Sequence, residues 1–229
     1  LLFSISCFCS SAEQTQKELL TICIGQASSS AKNIKLDTFM AELFETTNLN
    51  PKLFFSPAKR AEYLFKVGKC GGFFVSSSDF PTQIDRYDIV YVPEPIMNVD
   101  VDAFVLKEGV CSAEHSCLSS LVKSQVLGVF RSHALFKYLQ TKTRASIVEI
   151  TLLDQGVKML EQSRLDVLVI PNVIIETRGL SKVESVASVE LYLWLDKKHA
   201  PYVNEISSQI RRLKTEPLWK SIFHTNNSS

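Results

Sequence analysis

The sequence predicts an α/β fold, and three observations carry the prediction. Short apolar runs rich in β-formers alternate with amphipathic stretches of helical period. The phrase FSPAKRAEYLFKVGKCGGFFV at 55–75 sets out a helix start, an amphipathic run, a glycine turn and an apolar strand, and TLLDQGVKMLEQSRLDVLVI at 151–170 repeats that order in the other half of the chain. Two long strand-like runs, near 101–106 and 189–195, separate the second phrase from the flanking sequence. On the residues alone two architectures stand open: two α/β lobes joined by two hinge strands, and one doubly wound sheet.

The elements follow in order. Leu19 to Gly25 is a short apolar run closed by glycine, the pattern of a buried strand. Leu36, Phe39, Met40, Leu43 and Phe44 recur at i, i+3, i+4, i+7 and i+8, which is one helix face. LFF at 53–55 is the next strand. Ser56 is then an expected N-cap and Pro57 the first helical residue, with Ala61, Leu64 and Phe65 facing inward and Gly68 as the stop. GFFV closes a β-α-β-α-β series, which calls for parallel strands with helical crossovers. Asp88 to Val92 is a strand ended by Pro93 and Pro95, and Val101 to Gly109 alternates until its glycine.

The second half restarts the rhythm. Ser124 to Phe130 is a strand, and Ser132 caps a helix over His133 to Thr141. SIVEIT is a strand, the helix around Leu153, Val157 and Leu160 leads into DVLVI, and Pro171 opens a short helix ended by Gly179. Ser188 to Leu195 is a long strand, after which Pro201 starts a helix with Val203, Ile206, Ile210 and Leu213 on one face. Trp219, Ile222 and Phe223 close the chain's apolar pattern, and these last helices are expected to pack on the first half.

Composition narrows the function classes. The chain has 229 residues, a net charge of +1 and 45% hydrophobic residues, enough for a large core and without the basic excess a nucleic-acid partner requires. Leu1 to Ala12 carry no charge, and Ser10, Ser11 and Ala12 are small residues ahead of a polar stretch from Glu13. That is the pattern of the end of a secretory signal peptide, so 1–12 is read as a signal remnant. No other run has the length of a membrane span. In an oxidising compartment Cys111 and Cys117, flanking a short polar loop, are expected to form a disulfide. A zinc site that recruits His115 would lack a fourth ligand, so no metal is expected. Cys23 and Cys70 read as core thiols, with a second bridge left open.

The order of weak motifs resembles the type II periplasmic solute-binding proteins, in particular those serving polar amino-acid ABC transporters. SPAKRAEYLFKVGKCGGFFV resembles that family's helix–glycine–strand segment, VDVDAFVLKEG its outgoing hinge strand, and LVKSQVLGVFRSHALFKYL the opening of its second lobe. ITLLDQGVKMLEQSRLDVLVI resembles its later helix and strand, and LYLWLDKKHAPYVNEISSQIRRLKTEPLWKSIF its return hinge and closing helix. The resemblance implies an α/β fold of two lobes, with 13–100 and 196–229 in the first, 101–195 in the second, and hinge strands near 101–106 and 189–195. It implies a monomer in the periplasm that captures a small polar solute for an ABC-type permease. The alternative is a ligand-sensing receptor of the same fold that signals to a membrane sensor; a periplasmic enzyme on this fold is the third reading.

Such binders usually hold the ligand carboxylate with an arginine shortly after the third strand and the ammonium with an aspartate after the strand equivalent to DVLVI. Here Phe80 falls near the first position, and LVIPNV supplies no carboxylate at the second. The glycine-rich turn before the second-lobe helix is replaced by FRSHALF. An ordinary α-amino-acid site is therefore not expected, because a buried zwitterion needs compensating charges.

Ligands of parallel α/β sheets bind at the carboxyl ends of the strands. Ser76, Ser77 and Ser78 follow the third strand as candidate donors, against the plain reading of a loop. Arg131, Ser132 and His133 open a helix, where free N–H groups and the dipole suit an anion. Arg60 sits in a first helical turn, where a cation opposes the dipole, and is either a site residue or an exposed side chain. Gln26 and Asn172 follow strands, and Phe54, Phe74 and Trp194 are aromatics that line either the cleft or the core. His115, His133, His199 and His224 are scattered, and no nucleophile elbow, phosphate-binding glycine loop or metal-type His-Glu motif is present. No catalytic residue and no cofactor are assigned, and an enzyme is not expected.

Overall fold

The computed structural model describes residues 17–26, 34–106, 110–111, 116–130, 133–171 and 179–223. The expected signal segment lies outside them. β1 (Glu18–Gln26), α1 (Ile34–Leu43), β2 (Leu49–Pro57), α2 (Ala58–Lys66) and β3 (Gly72–Ser76) form the first alternating series. α3 (Phe80–Ile84) and β4 (Ile89–Tyr91) follow. The second series is β5 (Met97–Val105), α4 (Cys117–Ser120), β6 (Val126–Phe130), α5 (His133–Lys142), β7 (Ser146–Ile150), α6 (Leu153–Glu161) and β8 (Val167–Pro171). β9 (Ser181–Asp196), a 3-10 turn at Lys197–Tyr202, α7 (Val203–Leu213) and α8 (Pro217–Phe223) complete the chain.

The strands make two ladders that share β9. In the first, β1 lies parallel to β2 and β3, while the second part of β9 runs antiparallel to β3 and β4. In the second, β6 lies parallel to β7 and β8, β8 is antiparallel to β5, and the first part of β9 pairs with β5 from Ser181 to Leu191. Hydrogen bonding is thus continuous through β9, which is longer than the run at 189–195 suggests. β5 likewise begins at Met97, ahead of the expected 101. The β5–β9 register shifts at Val101/Asp102 and again at Ala103/Phe104, which increases the local twist.

Alternation along the strands sends side chains to opposite faces. Leu20, Ile22 and Ile24 join Phe39 and Met40 of α1 in one core, which Ile206, Ile210 and Trp219 of α7 and α8 complete. Cys23 points the other way, into a core with Ala61, Phe65, Phe80 and Trp194. The second ladder is covered in the same manner: Val101, Leu127 and Val169 meet α4 and α5, while Phe104, Leu168 and Ile170 meet α6. Each fully buried apolar side chain of this kind contributes about 1.5–3 kcal/mol relative to exposure.

Several local expectations change. Ser56 ends up inside β2 with its hydroxyl buried and without a partner among the described residues, so it does not cap α2; the helix starts at Ala58. Pro171 is the last residue of β8, paired with Val101, and the helix expected after it lies outside the described residues. Pro201 sits within the 3-10 turn, and α7 begins at Val203. Cys111 and Cys117 are bridged, and so are Cys23 and Cys70, whose Cα atoms are 5.8 Å apart across 47 residues of sequence. The core-thiol reading of Cys23 and Cys70 is corrected accordingly: Cys23 lies in β1 and Cys70 in the turn ahead of β3, and the pairing of β1 with β3 brings them together.

Candidate ligand-binding cleft

The carboxyl ends of parallel strands from both ladders meet at one cavity of about 270 Å³. On the first side, Gly25 near the end of β1 and Ala58 at the start of α2 keep the wall low, and Phe73 and Phe74 stand beside them. On the second side, Phe130 ends β6, Thr151 follows β7, Pro171 ends β8 and Leu135 comes from α5. The floor is made by the crossing strands: Met97, Val99 and Val101 of β5, and Val189 and Leu191 of β9. These alternate residues share one face, while Asn98, Asp100 and Glu190 on the opposite face are exposed.

The polar rim is built by the segment after β3. Ser76 and Ser77 line the cleft with Gln83 of α3. Ser77 donates its hydroxyl proton to Asp79 Oδ1, and Gln83 Nε2 donates to the same oxygen at 2.9 Å and to Ser77 Oγ at 3.3 Å. The backbone oxygen of Ser76 accepts from Trp194 Nε1 at 3.3 Å, which ties the rim to the core. Glu62 of α2 is the single ionisable residue among the described lining residues.

Phe80, near the position of the resemblance's arginine, is buried against Phe65, Phe73 and Trp194, with ring centroids 5.9, 4.5 and 5.7 Å away. The arginine of the same segment, Arg86, turns away from the cleft. It donates to Asp88, to Asp196 and to the backbone oxygen of Phe65, and its guanidinium lies 4.9 Å from the Phe65 ring centroid. Burial lowers its pKa, but hydrogen bonds to Asp88 and the charge of Asp196 outweigh this and raise it; the bond from Arg86 in turn lowers that of Asp88. Arg86 therefore fastens α3 to the end of β9.

The candidates separate as follows. Phe74, Ser76 and Ser77 line the cleft. Ser78 lines a shallower groove with Asn98, Glu190 and Tyr192 on the other side of the crossing strands. There Tyr192 donates to Glu190, and that bond, with burial, pushes its hydroxyl up to about 12. Arg60 is exposed on α2, outside the described lining, where Ala58 and Glu62 face inward instead. Phe54 is exposed on the edge strand β2, and Trp194 is core. Arg131, Ser132 and Asn172, with the side chains of Gln26 and His133, lie outside the described residues. Sequence reasoning passed over Glu62, Gln83, Phe130, Thr151 and the apolar floor. The strand-end rule that singled out the serines applies equally to Phe130, Thr151 and Pro171.

Two α/β halves, each wound around its own ladder and joined through paired crossing strands over a cleft, define the type II periplasmic-binding-protein fold. Solved structures share it over most of the chain. A histidine kinase sensor domain with similarity to periplasmic binding proteins superposes with a TM-score of 0.68 and 13% identity, covering 91% of this chain and 96% of its own. An ancestral amino-acid-binding protein, described as a precursor of cyclohexadienyl dehydratase, gives 0.68 and 10% identity over 89% and 92%. An arginine transport-system periplasmic binding protein from Legionella pneumophila gives 0.65 and 8% identity over 90% and 97%. No protein-family model and no curated protein matches the chain. At these identities the likeness establishes the fold.

Proposed function

We propose that the protein is a solute-binding protein that captures one small solute between its lobes and presents the closed form to a membrane partner. One observation carries this reading: strand ends from both ladders and the crossing strands line a single cavity, so a solute seated there touches both halves. Such a solute favours the closed arrangement by the contacts that only closure completes. In this reading 13–100 and 196–229 form one lobe and 101–195 the other. The protein works as an exported monomer in the periplasm, and its partner is an ABC-type permease. Its likeness to binding proteins of amino-acid transporters supports that partner. The equal likeness to a sensor-kinase domain supports a second reading, in which a membrane sensor reads the same closure.

The proposed ligand-holding residues are Ser76, Ser77 and Phe74 on one side, Arg131, Ser132 and His133 at the start of α5, and Gln26 and Asn172 at neighbouring strand ends. Calorimetric titration with a library of small solutes tests the reading. A reversible, saturable ligand is expected, and Arg131→Ala should weaken it by about 1.5–3 kcal/mol if that side chain makes a charge-assisted hydrogen bond. Standard amino acids bound at micromolar strength and unchanged in Arg131→Ala would overturn the site assignment. Chemical conversion of the bound solute would move the protein to the enzymes.

A further inference from the structure

We infer that the solute taken by this cleft is recognised through an apolar body, a ring or branched hydrocarbon with a short polar end, and is not a polar amino acid. The inference rests on the binding reading above and concerns what is bound.

The floor carries the argument. Met97, Val99 and Val101 follow one another at every second position of β5, and Val189 and Leu191 do the same on β9. Period-two alternation gave these strands one polar and one hydrocarbon face, and the hydrocarbon face is the one turned to the cleft. Phe73 and Phe74 extend it on one wall, Phe130 and Leu135 on the other. An apolar concavity of this extent, rimmed by Ser76, Ser77, Gln83 and Thr151, is the usual form of a site for an apolar ligand with one oriented polar group.

Charge is confined to one point. Among the described lining residues there is no lysine or arginine and Glu62 is the single ionisable side chain, Phe80 is withdrawn into an aromatic core, and Arg86 is engaged by Asp88 and Asp196, so the described lining offers a carboxylate no cationic partner. Size sets the limit: a cavity of about 150 Å³ holds benzene, and this one measures about 270 Å³, room for a ring with a short chain or for a bicyclic system.

The experiment is calorimetry with uncharged primary amides of increasing chain length, from propanamide to heptanamide, with phenyl- and indole-bearing amides, set against glutamine and serine. Affinity should rise about fourfold per buried methylene until the cavity is full, with a negative heat-capacity change on binding. Val189→Thr, which adds a hydroxyl to the floor at nearly constant volume, should weaken the best amide about fivefold or more. A flat series, or glutamine bound as tightly as the best amide, would overturn the inference while leaving the protein a binder. No binding by any amide or by any member of the amino-acid library would overturn both readings. Should the variant fail to fold, the chain-length series decides alone.

Discussion

The helix–turn–strand units α2–β3 and α6–β8 solve the same problem with different residues. Each helix ends in the same pair of reversed hydrogen bonds. Gly68 N donates to Phe65 O at 3.0 Å and Lys69 N to Leu64 O at 2.8 Å; Ser163 N donates to Leu160 O at 3.0 Å and Arg164 N to Met159 O at 2.8 Å. This is the Schellman arrangement, which places one residue in the left-handed region. The first unit uses Gly68 at φ 72°, the second Ser163 at φ 55°. The strands are then laid against equivalent neighbours: Gly71 N donates to Thr21 O at 2.9 Å, and Asp166 N to Val126 O at 2.8 Å.

They differ in how the strand is tethered. Asp166 Oδ2 also accepts from Val126 N at 2.7 Å, a clasp made by its own side chain. At the equivalent position Gly71 has no side chain, and a Cβ there would stand 2.8 Å from Leu20 Cδ1, which would have to shift. The tether there moves one residue back, to the Cys70–Cys23 disulfide. The difference teaches that the same turn is clasped in one half by a side-chain hydrogen bond and in the other, where a glycine leaves no side chain to accept one, by a covalent link.

The largest expected effect comes from cutting the covalent tether. Replacing Cys23 and Cys70 by alanine should cost about 4 kcal/mol on the chain-entropy account of a 47-residue loop, against about 2 kcal/mol for the six-residue Cys111–Cys117 loop. Denaturant titration of both double variants measures this, and equal losses would break the comparison. Next, Asp166→Ala should lose about 2 kcal/mol by the same measurement, and Asp166→Asn less, because the amide oxygen still accepts from Val126 N, though as a neutral and weaker acceptor. A neutral effect of Asp166→Ala would mean the clasp is idle. The smallest effect sharpens the turn itself. Gly68→Ala should lose about 1 kcal/mol, whereas Ser163→Gly should gain a few tenths of a kcal/mol, strain relief being partly offset by unfolded-chain entropy. Opposite signs at the two positions are the outcome to look for in thermal unfolding.

Much of the fold was legible because it rests on local periodicity: Leu36 to Phe44 and Val203 to Leu213 write their helices plainly, and Gly68 marks a real turn. Features set by neighbours distant in sequence were not. Cys23 and Cys70 read as core thiols with a second bridge left open, because only strand pairing brings them together. Ser56 had the chemistry of a cap, yet pairing with Gly25 drew it into β2. α3 is too short to show a period, so Phe80 and Arg86 gave no sign that one would be core and the other a fastener. The serines of the cleft rim were found by the strand-end rule. Its hydrocarbon floor was hidden, since Met97, Val99 and Val101 read equally as ordinary core residues until the opposite wall is in place.

The placement of β9 has a consequence for synthesis. Leu193 and Leu195 fill the same core as Leu20 and Ile22, and the strand they belong to is the one that covers the open edge of β3. A ribosome adding about 5–20 residues per second needs roughly 6–24 s to travel the roughly 120 residues from the end of β3 to Leu193. Throughout that interval the nascent first half displays an unpaired strand edge and uncovered hydrocarbon. β5, β6, β7 and β8 emerge consecutively and lack only the first part of β9. The strands of the second ladder therefore have all their partners synthesised before those of the first ladder do.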